Sequence, residues 1–195
     1  MKPKIFDCIT FYNANMLFQT RFNILEKYVD YFVVCEASKS HTGKYKGYNF
    51  DLDFLNRHKK KIIYLRLDNL PNIKKKSKKH YGLLKIQMEY LFEGIKNANQ
   101  DDLIIFSDED EIPNPKNIES FNYEKHKFGL FLQNMYYYKM NILGVDEGDG
   151  NWAGSRICKK KYLKSFFKFR LLKKKNINYP FWRFDKEKNI QLINN

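Results

Sequence analysis

The chain reads as a single α/β domain over residues 1–195, with a mainly parallel central sheet flanked by helices. Three observations predict this. Short β-rich runs recur as far as Ser107, helix-length segments separate them, and 43% hydrophobic with 17% aromatic residues supplies enough apolar surface for one core. Each intervening helix acts as a crossover, which leaves successive strands parallel. No internal repeat, Gly/Ser linker or low-complexity tail divides the chain, and 195 residues suit one domain.

Ile5 to Phe11 is the first strand. Leu17, Phe18, Arg21, Ile24, Leu25 and Tyr28 then recur at three- and four-residue steps, the spacing of one apolar helix face. Tyr31 to Glu36 and Lys61 to Leu65 are the next strands. The cleanest helical stripe is Leu84, Met88, Leu91, Ile95 and Ala98, ending near Asn97 to Asn99, and the strand Leu103 to Ser107 follows directly. Asn72 to Lys79, basic and poor in apolar residues, reads as a mobile loop. Phe128 to Lys139, with consecutive Tyr136, Tyr137 and Tyr138, reads as a later strand covered on both faces, or equally as the lining of a sugar-binding cleft.

Lys plus Arg number 36 against 22 Asp plus Glu, a net charge of +14 that favours nucleic acid, anionic lipid or nucleotide phosphates as partners. Lysine runs at 59–61, 74–79, 159–161 and 173–175 read as solvated surface. Cys8, Cys35 and Cys158 are odd in number and far apart, so reduced, mostly buried thiols are expected. His41, His58, His80 and His126 lack metal-ligand spacing and read as surface residues, His41 excepted by its loop position. No signal-peptide region or membrane span is present, so a soluble cytoplasmic protein of bacterial or viral origin is expected, with basic runs able to hold it at an anionic membrane. No Gly-rich phosphate loop, dinucleotide fingerprint or EF-hand spacing occurs, which leaves an ATPase, a Rossmann dehydrogenase and a calcium sensor without support.

The most informative stretch is Asp101 to Pro113, where a buried strand runs abruptly into Asp108, Glu109, Asp110 and Glu111. In an extended chain Asp108 and Asp110 share a face and can converge on one hard cation while Glu109 points away. Ligands of parallel α/β sheets bind outside the carboxyl ends of the strands, and a divalent ion there could grip a diphosphate. The same acids also read as a solvated loop, with Asn114 capping a short helix from Pro115.

An ordered set of motifs carries a resemblance. Phe6-Asp7-Cys8, Phe11-Tyr12-Asn13, Arg21, the run from Val29 to Glu36, His41-Thr42-Gly43, Lys46, Ser107 to Pro113 and Trp152-Ala153-Gly154 follow one another as in glycosyltransferase family 17, which the chain resembles. The resemblance implies a GT-A-like fold and metal-dependent inverting transfer of a sugar, N-acetylglucosamine from UDP-GlcNAc, to a glycan acceptor. Asp108 and Asp110 match the site for Mn²⁺ or Mg²⁺ and the diphosphate. Glu111 would orient those ligands or a lysine, Thr10, Tyr12 and Asn13 would face the base and ribose, and Glu36 with Thr42 and Gly43 would sit on the cleft rim, although a strand-end Glu such as Glu36 otherwise reads as an ion-pair partner. The chain departs from the family pattern at Ala14, where Glu is common, and at Gln87-Met88, where Gln-Arg is common. Its relatives continue into a Gly-Gly-Trp-His segment near where Ile193 to Asn195 stand, so the C-terminal part is expected to be incomplete.

Inverting transfer needs a base to take the acceptor's proton. Asp149 and Glu147 are the candidates, in a Gly-containing segment that reads as a mobile lid or as a polar turn. Trp152 is a sugar-stacking platform or a core anchor. Arg156 pairs with phosphate or forms a surface ion pair. Two competing classes stay open: a nucleic-acid-binding module, on the strength of aromatics interleaved with lysine from Lys161 to Lys175, and an inactive relative that still binds nucleotide or glycan.

Overall fold

β1 (Ile5–Phe11) pairs in parallel with β2 (Tyr31–Ala37) on one side and with β4 (Leu103–Ser107) on the other, and β3 (Ile62–Leu67) extends the sheet beyond β2. Beyond β4 one strand is reversed. β6 (Asn151–Lys159) is antiparallel to both β4 and β5 (Phe128–Asn134), and β7 (Ile190–Asn194) closes the sheet parallel to β5. The order is β3-β2-β1-β4-β6-β5-β7. This computed structural model describes residues 2–68, 70–71, 76–136, 142–144 and 151–194.

The strands are apolar on both faces because helices cover both. On one face α1 (Asn15–Leu25) and α2 (Leu52–Arg57) pack Phe18, Phe22, Leu25 and Phe54 against Ile5, Ile9, Phe32 and Ile105. On the other, α3 (Lys76–Tyr90) and the 3₁₀ segment Leu91–Ile95 pack Met88, Leu91 and Ile95 against Phe6, Cys8, Val33 and Ile104. The three cysteines are buried and free.

β1 and β4 occupy the residues expected of them, whereas β2 runs one residue further and β3 spans 62–67. The α1 face is rotated from the expected stripe. Phe22 is buried and Ile24 is 41% exposed, because two residues correspond to roughly 200° around a helix and the buried face centres on Phe18, Phe22 and Leu25. Lys76 to Lys79 belong to α3, so the expected mobile loop is helical there, and 72–75 lie outside the described residues. β5 ends at Asn134. Tyr136 is half exposed and bridges Leu143, and Tyr137 and Tyr138 lie outside the described residues.

Not all lysines in the runs are solvated. Lys61 Nζ caps the carbonyls of Glu26 and Val29 at the end of α1, and Lys160 Nζ caps Lys96 and Ala98 after the 3₁₀ segment, so each satisfies carbonyls that a helix end leaves unpaired. Lys159 is buried and bonds Glu124 at 2.8 Å. His58 packs between Phe22 and Phe54, at 4.4 and 4.5 Å between ring centres, rather than on the open surface.

Gly94 is where the 3₁₀ segment meets β2. A Cβ there would stand 2.2 Å from Cγ1 of Val33, a stiff β-branched side chain with no exposed surface. Gly94→Ala is therefore expected to lose about 1–3 kcal/mol in urea denaturation, the clash outweighing the helix-propensity gain of at most about 1 kcal/mol. Unchanged or increased stability would show that the segment can move off the sheet.

Candidate active site

The site is built on a buried ion pair. Asp7 shares the α1 face of β1 with Ile5 and Ile9, and Arg21 stands opposite on α1, so a charge meets its partner inside the apolar layer. Arg21 Nε and Nη2 each donate to Asp7 at 2.7 Å, and neither side chain is more than 1% exposed. The remaining donors fix the chain beyond β4. Nη1 reaches the carbonyl of Glu111 at 2.8 Å and Nη2 reaches Ser107 Oγ at 2.8 Å. Ser107 in turn lies 2.8 Å from Ser155 Oγ on β6, and Ser155 also donates to the Glu111 carbonyl.

β6 adds a second clamp. Gln133 on β5 accepts from the Ser155 N–H at 2.9 Å and donates to the Ile112 carbonyl at 2.7 Å. This needs Gly154, since a Cβ there would sit 2.0 Å from Gln133 Oε1.

Held this way, residues 108–111 form a turn rather than the extended run expected from the sequence. The Glu111 N–H donates to the Asp108 carbonyl, and Glu111 Oε2 accepts from the Asp108 N–H at 3.0 Å. Closing the turn changes where the acids point. Glu109 does not face away: its Oε2 accepts from the Tyr12 N–H at 3.1 Å, and Asp108, Glu109 and Asp110 all line one cleft of about 290 Å³. Thr10, Tyr12, His41 and Gln87 line the same cleft, which lies outside the carboxyl ends of β1 and β4. Gln87, buried on α3, donates to the carbonyls of Phe11 and Cys35, and His41 bonds its side chain at 3.0 Å.

Among the described residues Glu111 meets no lysine. Its free carboxyl oxygen accepts from Trp152 Nε1 at 2.7 Å, and Trp152 is 46% exposed, so the ring stands at the site instead of anchoring the core. Asp108 has a partner the sequence did not announce: Arg170, at the end of α4 (Phe166–Arg170), donates to both its oxygens from Nε at 3.0 Å and again from Nη2. α4 is placed by Ser165, which caps it, and by Glu89 on α3, which accepts from Ser165 Oγ and from the Phe166 and Phe167 N–H groups.

Five expected site residues fall elsewhere. Glu36 is wholly buried and accepts from Lys46, the Asn49 and Phe50 N–H groups and Tyr64, so it is the ion-pair partner that its place also suggested, anchors the loop after β2 and is not on a rim. Arg156 is no surface ion pair. It is 5% exposed, donates to the carbonyls of Gly154 and Leu172, and its Nε has no acceptor among the described residues. Burial pushes its pKa down to about 10 despite nearby Glu111. Asn13 is exposed beyond Tyr12, and Thr42 and Gly43 close a tight turn onto Ser40. Glu147 and Asp149 lie outside the described residues.

The acids, the strand ends and the clamp beneath them fall mostly within residues 1–148, the span matched by the family model for glycosyltransferase family 17. The chain belongs to glycosyltransferase family 17. It is a glycosyltransferase, an enzyme that takes a sugar from a donor to a glycan acceptor. No curated protein matches it. Trp152, Arg156 and Arg170 come from beyond the matched span. Arg170 was legible only as an arginine among many lysines, in Phe-Phe-Lys-Phe-Arg, where a planar fork suited to carboxylate or phosphate stands out.

Arg21→Met leaves the Asp7 charge buried without its partner and is expected to cost about 3–5 kcal/mol in urea denaturation, with most of the loss recovered in the Asp7→Leu/Arg21→Met double variant. A loss in the single variant below 1 kcal/mol, on the order of a surface pair, would remove the pair from its central place.

Glu109 titrates above its ordinary value of 4.5, first because burial disfavours its charge and then because Asp110 and Asp108 repel it, and burial with Asp108 raises Glu111 in the same way. Between 4.5 and those raised values the folded protein holds protons that the unfolded chain has released, so stability falls as pH rises through that window. Glu109→Gln is expected to flatten this decline and to be more stable than the wild type at neutral pH. Denaturation series at several pH values giving an equal or steeper decline would contradict it.

Proposed function

We propose that this glycosyltransferase is a GT-A-like, metal-dependent inverting enzyme that transfers N-acetylglucosamine from UDP-GlcNAc to a glycan acceptor. The observation that carries the reading is the acidic turn itself: Asp108 and Asp110 share one cleft with Thr10 and Tyr12, outside the carboxyl ends of parallel strands. The donor set suits a hard cation. Mg²⁺ is commonly held by one or two carboxylates together with phosphate oxygens and water, and among the described residues no group of three or more His, Cys, Asp or Glu forms a complete cage. Asp108 and Asp110 would hold the ion, which when bound supplies charge neutralisation at the leaving diphosphate.

The chain's own residues do the rest. Thr10 and Tyr12 flank the base and ribose. Glu109 ties the Tyr12 backbone to the acidic turn, so the two walls of the cleft keep a fixed spacing. Glu111 holds the Asp108 N–H and the Trp152 indole at once, which sets the ring beside the acids as a platform for a sugar face. Arg170 balances Asp108 and carries a planar fork that also fits phosphate. The acceptor's proton goes to a carboxylate, assigned to Asp149 with Glu147 as the alternative.

Calorimetric titration of UDP and UDP-GlcNAc, with and without Mn²⁺, tests the reading on the wild type and on Asp108→Asn/Asp110→Asn. Binding that requires Mn²⁺ and weakens at least about tenfold in the variant is expected, since each lost charge-assisted contact is worth about 1.5–3 kcal/mol. Metal-independent binding, or equal binding by a folded variant, would reject the metal assignment.

A further inference from the structure

A second and larger cleft, about 780 Å³, lies between the start of β5, the segment that contains α4 and the turns that precede β7. Seven lysines line it against two acids, Asp185 and Glu187. Lys164, Lys168, Lys173 and Lys175 among them are exposed. One rim is the turn from Tyr179 to Asp185, both of which line the cleft. Between them Phe181, Trp182 and Phe184 are 79%, 61% and 89% exposed.

This turn is ordered by its polar members. Arg183 N–H bonds the Pro180 carbonyl, Phe184 N–H bonds that of Trp182, and the Arg183 guanidinium folds back onto Asp185 at 2.7 and 2.8 Å and over the Tyr179 ring at 5.1 Å. The Phe181 and Trp182 rings meet edge to face at 5.2 Å. Three large rings are thus left to water in a fixed arrangement beside a cluster of ammonium groups.

We propose that this face docks on an anionic lipid bilayer, with the lysines over the headgroups and Phe181, Trp182 and Phe184 in the interfacial layer. Aromatic rings settle at the level of the headgroups, and lysines near a negative membrane surface each add attraction on long stems that reach outward. The charge excess is complementary to such a surface. It argues against a second copy, because a net charge of +14 repels itself. Single-stranded nucleic acid is met by rings inside a basic groove, on which bases stack. Here Phe181, Trp182 and Phe184 lie on the rim instead, and the rings that line the cleft itself, Phe128, Tyr162, Phe169 and Tyr179, are buried or half-buried.

Co-sedimentation tests this with vesicles of phosphatidylcholine alone and of equal phosphatidylcholine and phosphatidylglycerol, at low and high salt. The proteins are the wild type, Phe181→Ser/Trp182→Ser/Phe184→Ser and Lys164→Gln/Lys168→Gln/Lys173→Gln. All six positions are exposed, and circular dichroism checks the fold. Binding only to the anionic vesicles is expected, weakened by salt, weakened on the order of a hundredfold by loss of three lysines and at least about tenfold by loss of the rings. No sedimentation with anionic vesicles at low salt, or variants that sediment like the wild type, would overturn the proposal. So would a single-stranded RNA that binds where vesicles do not, or a dimer in light scattering that the ring variant disperses while vesicles leave the wild type in solution.

Discussion

The Asp7–Arg21 pair is the constraint on which the acidic cleft depends. Two charges taken out of water lose their hydration, and an ion pair alone rarely returns much of that cost. Here the guanidinium is satisfied by more than its carboxylate: the Glu111 carbonyl and Ser107 Oγ take further donors. The pair therefore matters for position. It ties α1 to β1 and fixes the Glu111 carbonyl, which also accepts from Ser155 Oγ; the Glu111 side chain then accepts from the Trp152 indole, and the Ser155 N–H donates to Gln133.

A cluster of four acids in a protein of net charge +14 is held by local compensation. Arg170 meets Asp108 directly, Arg156 is buried close by, and the Tyr12 N–H meets Glu109. α4 links this cluster to the rest of the charge distribution. Arg170 faces the acids, and Lys168, two residues earlier, lines the basic cleft. One short helix thus separates a negative cleft from a positive one.

Much of this was readable in the sequence where the signal is local. The β1 and β4 runs have apolar residues at every position but few, which suits strands covered on both faces, and Asn114 caps the 3₁₀ turn Pro115–Asn117 as its place before proline implied. The ordered motifs located the acids. What failed depended on partners far away in the chain. Alternation along an extended strand could not foresee that Glu111 would bond back to Asp108, because the turn is held by Arg21, 90 residues earlier. Glu36 looked like a strand-end acid in the open because the loop that wraps it, from Lys46 to Phe50, has no periodicity. Arg156 lies on a strand whose burial follows from its place between β4 and β5, a fact of topology.

The single reversed strand has its own consequence. Because β6 runs against its neighbours, its first residues, not its last, come to the sheet edge where β1 and β4 end. Trp152 and Ser155 therefore reach the acidic turn from the start of a strand, while its last residue, Lys159, lies at the far edge against Glu124.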